Sequence, residues 1–375
     1  MLWILIFTSG NNFKNFISDL KFSKVFLLLL LFFLAIHSSS LLYTLNFSYG
    51  LSKFYGIFFN IILNVLALRF ILVHFANDFM RKIIEIILFS GAVLTLISIL
   101  AGPFSSFYDE YMQMKIFGIN LWSHVGFGRY MGFVFLVSLI NIIYLGFLKK
   151  LHLDKILLVI SFAGLLLSGL RSAIICTMFI SILLILYSLK KKNISILKIS
   201  GFLIGGVALL FVASYFNNSL SILLTRFTQV FNIFNQVNLS DGAISTRLHI
   251  YRNSIQLFLE NAFLGRGLGS YYDENLFLFT RGLKYPHNIF IEYGIELGSL
   301  GLLFILIALI FIYREVLKVN TILSFVFLYF VLLSMFSYSI PFQTGMFSFM
   351  AFISLRKENI FILNNSLKID KIHKS

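Results

Sequence analysis

Apolar runs long enough to cross a bilayer follow one another along nearly the whole chain, and they limit its fold more than any other feature. The run after Lys24, VFLLLLLFFLAI, is typical. A helix needs roughly 20 apolar residues to span the hydrocarbon core. Spans of this kind are expected near 25–45, 53–75, 83–102, 126–147, 154–170, 172–189, 199–216, 287–313, 320–338 and 341–355. The chain is 59% hydrophobic and 12% charged, with a mean hydropathy of +0.92. A soluble domain is about half apolar and about a quarter charged, so a water-soluble core is excluded. The runs are continuous, not alternating, which excludes a β-barrel. The expected fold is all-α: a polytopic integral membrane protein of about ten transmembrane helices in a single membrane domain over 1–375.

The net charge of +15 resides at the ends of apolar runs, which speaks for membrane topology and against nucleic acid as a partner. With the N-terminus in the cytoplasm, the inner side collects Lys24, Arg81, Lys82, Lys149, Lys150, Lys190, Lys191, Lys192, Arg314, Lys318 and the tail lysines. That arrangement satisfies the positive-inside rule. Both termini are expected in the cytoplasm, with the run after Lys24 as a first anchor and no cleavable signal peptide. The long loop 217–286 then faces outward. The outer cations are mostly arginine: Arg129, Arg171, Arg226, Arg247, Arg252, Arg266 and Arg281, against Lys53, Lys115 and Lys284. Arginine's planar fork of donors suits phosphate better than lysine's point charge. Arg69 alone is expected inside a span. Cys176 is the single cysteine and lies in an apolar run, so no intramolecular disulfide or cysteine metal site forms.

Within the long loop, 217–235 reads as an amphipathic helix at the membrane surface. The segment 246–263 places Leu248, Ile255, Leu259 and Phe263 on one helical face, with Ser245 or Thr246 as cap and Gly265 just past the end. GRGLG at 265–269 departs from the spacing of a phosphate-binding loop and reads mainly as a close-approach turn.

The chemistry gathers at PHNIFIEYGIELGSLG, residues 286–301. Pro286 is expected in the first helical turn, which sets His287 and Asn288 at a helix N-terminus on the outer face. The positive end of the dipole disfavours an imidazolium there and favours an anion such as diphosphate. His287 is thereby a candidate general base. Asn288 and Glu292 share a face, so a hydrogen bond between them is expected. Gly294, Gly298 and Gly301 form a stripe for close helix packing. Glu296 is expected to be buried and paired.

This combination resembles the O-antigen ligase and polymerase superfamily over about 165–305. The match is His287-Asn288, nine residues, then GSLG at 298–301. SGLRSA around Arg171 and TRLHIYRNSIQLFLENAFLGRGLGSY from Thr246 add to it, with Tyr251 where the family usually has Trp. The resemblance implies a bacterial inner-membrane glycosyltransferase with its active site facing the periplasm. It would move a glycan from undecaprenyl diphosphate to an acceptor such as lipid A-core, without metal or other cofactor. His287 would be catalytic, and Arg171, Arg247, Arg252 and Arg266 would bind the diphosphate. Asn288, Glu292, Gly298 and Gly301 would support the site. A repeat-unit polymerase using the same donor is the alternative; a transporter or flippase fits less well, since no internal repeat is visible.

Overall fold

A computed structural model describes residues 24–100 except 75, 113–116, 119–145, 153–192 except 169, 242–272, and 285–355 except 337 and 354. In chain order the helices are α1 (Lys24–Ser39), α2 (Phe47–Ile57), α3 (Leu63–His74) and α4 (Ala76–Leu100). Then come α5 (His124–Ile140), α6 (Leu153–Leu167), α7 (Arg171–Lys192), α8 (Gly242–Glu260), α9 (Ile289–Val319), α10 (Thr321–Ser334) and α11 (Thr344–Phe347). The described residues are helical apart from turns and one antiparallel hairpin, β1 (Gln113–Ile116) with β2 (Ile119–Ser123). Five helices among them are long and apolar enough to cross a membrane: Lys24–Tyr43, Phe47–Val73, Val125–Tyr144, Arg171–Lys190 and Ile289–Val319. The expected span 199–216 and the expected surface helix 217–235 lie outside the described residues.

The described helices gather into two compact units, one holding α1–α3 and α8 to α11, the other α4 from Met80 through α7. In the first, α1 shows how an all-apolar helix chooses a buried side. Phe26, Leu30, Phe33 and His37 are buried, spaced by four, three and four, while Leu28, Leu31 and Phe32 on the other faces are exposed. That spacing is one face of a 3.6-residue helix, and the remainder is suited to lipid.

The second span starts earlier than its hydropathy suggests. Asn46 caps α2, its Oδ1 accepting from Tyr49 N at 3.0 Å, and α2 continues through a π-turn (Phe58–Ile62) into α3. Lys53 therefore lies inside the span and not in an outer loop, as topology alone had placed it. The tenth expected span, 341–355, is also corrected. Pro341 opens a 3-10 turn (Ile340–Phe342), followed by α11 and a second 3-10 turn (Ser348–Phe352), so no continuous helix forms. Arg69, the expected intramembrane arginine, anchors this broken segment. Its Nη1 donates to Ala351 O at 3.0 Å and to Ile353 O, and its guanidinium carbon lies 4.7 Å from the Phe26 ring centroid. A buried guanidinium is tolerable because its donors meet backbone carbonyls.

In the second unit α5 is the enclosed helix, with 78% of its best membrane window buried against its neighbours. Small residues permit that closeness. A Cβ on Gly91 would lie 2.5 Å from Val134 Cγ1, and one on Gly164 would lie 2.4 Å from Thr95 Oγ1. Arg129 and Cys176 are both buried here, on α5 and α7. The hairpin between α6 and α7 occurs where SGLRSA was read, and Arg171 is the first residue of α7.

Candidate active site

The tip of α9 is built by two residues with opposite backbone demands. His287 has φ 59, in the left-handed region that side chains other than glycine seldom occupy. Asn288 follows in an extended conformation, φ −143 and ψ 120, and its Oδ1 accepts from Phe290 N at 3.0 Å and Ile291 N at 3.3 Å. This is an N-cap. The helix thus begins at Ile289, and Pro286 precedes the cap, outside the first helical turn where the sequence had put it. The cap also takes two of the N–H groups that had been expected to face an anion. His287 is half-buried, its ring edge-on to Tyr285 with centroids 4.6 Å apart. Left-handed backbone at a polar helix tip is the kind of strain that surrounding structure retains at functional sites.

Behind the tip lies a charge cluster that the sequence reading only half anticipated. Glu292 does not bond to the Asn288 side chain. Its Oε1 accepts from Lys53 Nζ at 2.5 Å and Ser339 Oγ at 2.5 Å, and its Oε2 from Ile340 N at 3.1 Å. Lys53 Nζ also donates to both carboxylate oxygens of Glu296 at 2.6 Å. The expectation that Glu296 is buried and paired holds, and all three charged side chains are almost fully enclosed. Two further polar atoms are buried without a partner close by on α1 and α9, His37 Nε2 and Tyr293 OH, with the two rings 5.5 Å apart and edge-to-face.

The glycine stripe has a different role from the expected one. Gly298 has φ 67 and ψ −164, a conformation essentially reserved for glycine, and α9 breaks there. A break strands backbone groups of the helix, and the turn after α8 supplies their partners. Arg266 N donates to Ile295 O and Gly267 N to Glu296 O, each at 2.9 Å, while Ser299 N donates to Ala262 O at 2.7 Å. Two N–H groups of GRGLG, those of Arg266 and Gly267, thus go to the kinked helix, the behaviour of a close-approach turn. On its other side the turn rests on α2 and the residues before it. Thr44 Oγ1 donates to Leu268 O at 2.7 Å, and Asn46 Nδ2 to Tyr272 O at 2.6 Å. Of the stripe, Gly294 does serve packing, against Phe258 of α8.

Helix α8 starts at Gly242, so Ser245 and Thr246 are internal and do not cap it. Its expected apolar face is the exposed one: Ile255, Leu259 and Phe263 are 56%, 67% and 67% exposed. The buried face carries Ile250 and Leu257, packed with Tyr271 and Ile295, and Tyr251 and Phe258 lie against them. An apolar helix with two apolar faces uses one for the protein and leaves the other for a lipid interface. Tyr251, the aromatic of the family pattern, is thus a packing residue. Burial pushes the Tyr271 phenol up to about 12, so it stays protonated.

The expected phosphate ligands are dispersed over these elements. Arg171 heads α7, Arg247 and Arg252 lie on α8 with Arg252 exposed, and Arg266 follows α8 in the turn. Arg266 is already paired: its Nη2 meets Glu260 Oε2, while its buried Nε has no partner. Lys53 and Ser339 are the residues that sequence reasoning missed. The signal for Lys53 was present, since two glutamates at i and i+4 inside a span require a cation, and Asn46 is a plain cap for a helix that would enclose it.

The family model described as O-antigen ligase matches residues 156–306 and places that stretch in the superfamily the motifs resemble. It takes in α6, α7, α8, the GRGLG turn, His287 and the kink at Gly298. No curated protein matches the chain.

Proposed function

We propose that this chain is an O-antigen ligase-type glycosyltransferase of the bacterial inner membrane, working on its periplasmic face. The donor is a glycan on undecaprenyl diphosphate, and the acceptor is a sugar hydroxyl such as one on lipid A-core. The observation that carries the reading is His287, held in a left-handed conformation at the capped tip of α9 within a stretch that matches the O-antigen ligase family.

In the reaction the acceptor oxygen attacks the anomeric carbon of the donor sugar. The new glycosidic bond forms as the bond to the carrier diphosphate breaks, and the hydroxyl proton passes to the His287 imidazole. Negative charge gathers on the departing diphosphate, where Arg247 and Arg252 of α8, in the same unit as His287, neutralise it. Arg266 would join them only by leaving Glu260. Because the carrier diphosphate is itself a good leaving group, the step calls for neither metal nor nucleotide. The acceptor end separates this reading from a polymerase that joins repeat units.

Replacing His287 by Ala in the native host tests the proposal, with surface glycan examined by gel. General-base loss typically removes about 10²–10⁴ of rate, so core lipid should lack glycan while long carrier-linked glycan accumulates. Full glycan on core lipid at normal protein level would defeat the assignment. Loss of long chains with single units still attached would turn the reading to polymerase.

A further inference from the structure

We infer that Lys53 is a positioning residue for His287, acting through Glu292 and Glu296, although it lies outside the stretch that matches the family. The inference rests on the reading of His287 as the base. Three observations lead to it.

First, the kink at Gly298 cuts α9 in two. The segment from Ile289 to Leu297, which carries the Asn288 cap and His287 ahead of it, does not inherit its direction from the long helix behind it. Its direction must come from side contacts. Second, the backbone bonds from the turn after α8 hold only the rear of that segment, at Ile295 O, Glu296 O and Ser299 N. A lever fixed at one end still swings at the other. Third, Lys53 grips the segment at two successive turns on one face, Glu292 and Glu296, and Glu292 is the nearer of the two to the tip. Ser339 Oγ and Ile340 N fix the same Glu292 carboxylate from a third element.

Stability alone is a poor account of this cluster. Burying an ammonium and two carboxylates costs desolvation that apolar residues of the same volume would avoid, and such clusters are best attested as devices of specificity. Here the specificity is angular: one orientation of the α9 tip satisfies all the donors on Glu292 and Glu296 together. A base displaced by about 1 Å loses on the order of 10² in rate.

The test uses the full-length protein purified in detergent, with carrier-linked glycan and core lipid extracted from the native host as substrates. Lys53→Met should lower kcat by about tenfold or more while the donor KM stays within about threefold. Arg69→Met serves as the comparison, since Arg69 anchors the Ala351 and Ile353 carbonyls elsewhere in the same unit. It should lower the melting temperature and leave kcat nearly unchanged. If Arg69→Met lowers kcat as much as Lys53→Met at equal melting loss, general loosening explains both and the inference is overturned. Combined with His287→Ala, Lys53→Met should add little, because the residue it positions is gone; a further tenfold loss there also overturns it. If Lys53→Met does not fold, Ser339→Ala removes one donor from Glu292 and keeps the ion pair; the melting temperature should fall as one lost bond to a buried carboxylate requires, and kcat should fall about threefold. An unchanged kcat in that variant sinks the idea. Full activity of His287→Ala overturns the reading of His287 as base, whereas loss there with Lys53→Met unaffected overturns the role of Lys53 alone.

Discussion

His287 and Gly298 occupy backbone conformations that most residues avoid, and they test differently. His287 carries a side chain in the left-handed region, so His287→Gly removes both the imidazole and the strain. That variant should stay within about 1 kcal/mol of the parent in stability, because glycine's freedom in the unfolded chain offsets the relief. It should nonetheless be inactive. A dead variant that also melts far below the parent would mean that the ring holds the structure and does no chemistry. Gly298 is the reverse case. Its φ and ψ fall in the region open to glycine alone, and an added Cβ would lie 2.2 Å from Phe263 O. Gly298→Ala should cost on the order of 2–3 kcal/mol and show as a lowered thermal midpoint, with activity lost because the tip is redirected.

At the scale of elements, the active end of α9 belongs to an assembly of α2, the α8 turn and the front of α9. Gly267 is a tight joint within it: a Cβ there would lie 2.3 Å from Thr44 Cα. Gly267→Ala should push the turn off the residues before α2 and release the N–H bonds that close the kink. Hydrogen exchange should then rise across 262–272 and at 295–299, while α10 keeps the parent's protection. Equal loosening of α10 would show that the turn is no separate joint. What the sequence disclosed here, and what it concealed, has a physical cause. Periodicity and hydropathy report faces and lengths, so the spans around α1, α5, α7 and α9 and the helix over 246–263 were legible. Hydropathy does not distinguish an apolar face turned to protein from one turned to lipid, so the spacing of Ile255, Leu259 and Phe263 showed one face but not its exposure. A glycine at helical spacing looks the same whether it admits a neighbour or breaks the helix; Gly298 does both, and only the close approach was read. Lys53 was misplaced because a charge near the start of an apolar run normally marks the interface, whereas here two buried carboxylates draw it inside. His287 and Asn288 were legible as a helix tip, because a polar pair after proline and before a long apolar run marks where a helix starts.

For the molecule as a whole, the proposed chemistry depends on orientation: the carrier-linked donor must meet α9 at its tip on the outer side. The positive-inside rule leads to the expectation of that arrangement, with lysines at the run ends expected inside and arginines along the segments expected outside. The single native cysteine allows a direct measurement, since Cys176 is buried and should resist a polar reagent. Asn261 is exposed in the turn after α8, where it bonds through its backbone: its N–H donates to Phe258 O and its carbonyl accepts from Gly265 N. Asn261→Cys should therefore react with a membrane-impermeant maleimide in cells whose outer membrane alone is opened. Ser375→Cys, at the end of the lysine-bearing tail, should react only after the inner membrane is breached. Labelling of Ser375→Cys under the first condition, with Asn261→Cys protected, would invert the topology. It would also place His287 on the side where the arginine-rich segments face the cytoplasm, and the ligase reading would fail with it. Labelling of Asn261→Cys alone would put the capped histidine, the kink and the Arg252 and Arg266 side chains on the face where a carrier diphosphate is presented, which is what transfer to a periplasmic acceptor requires.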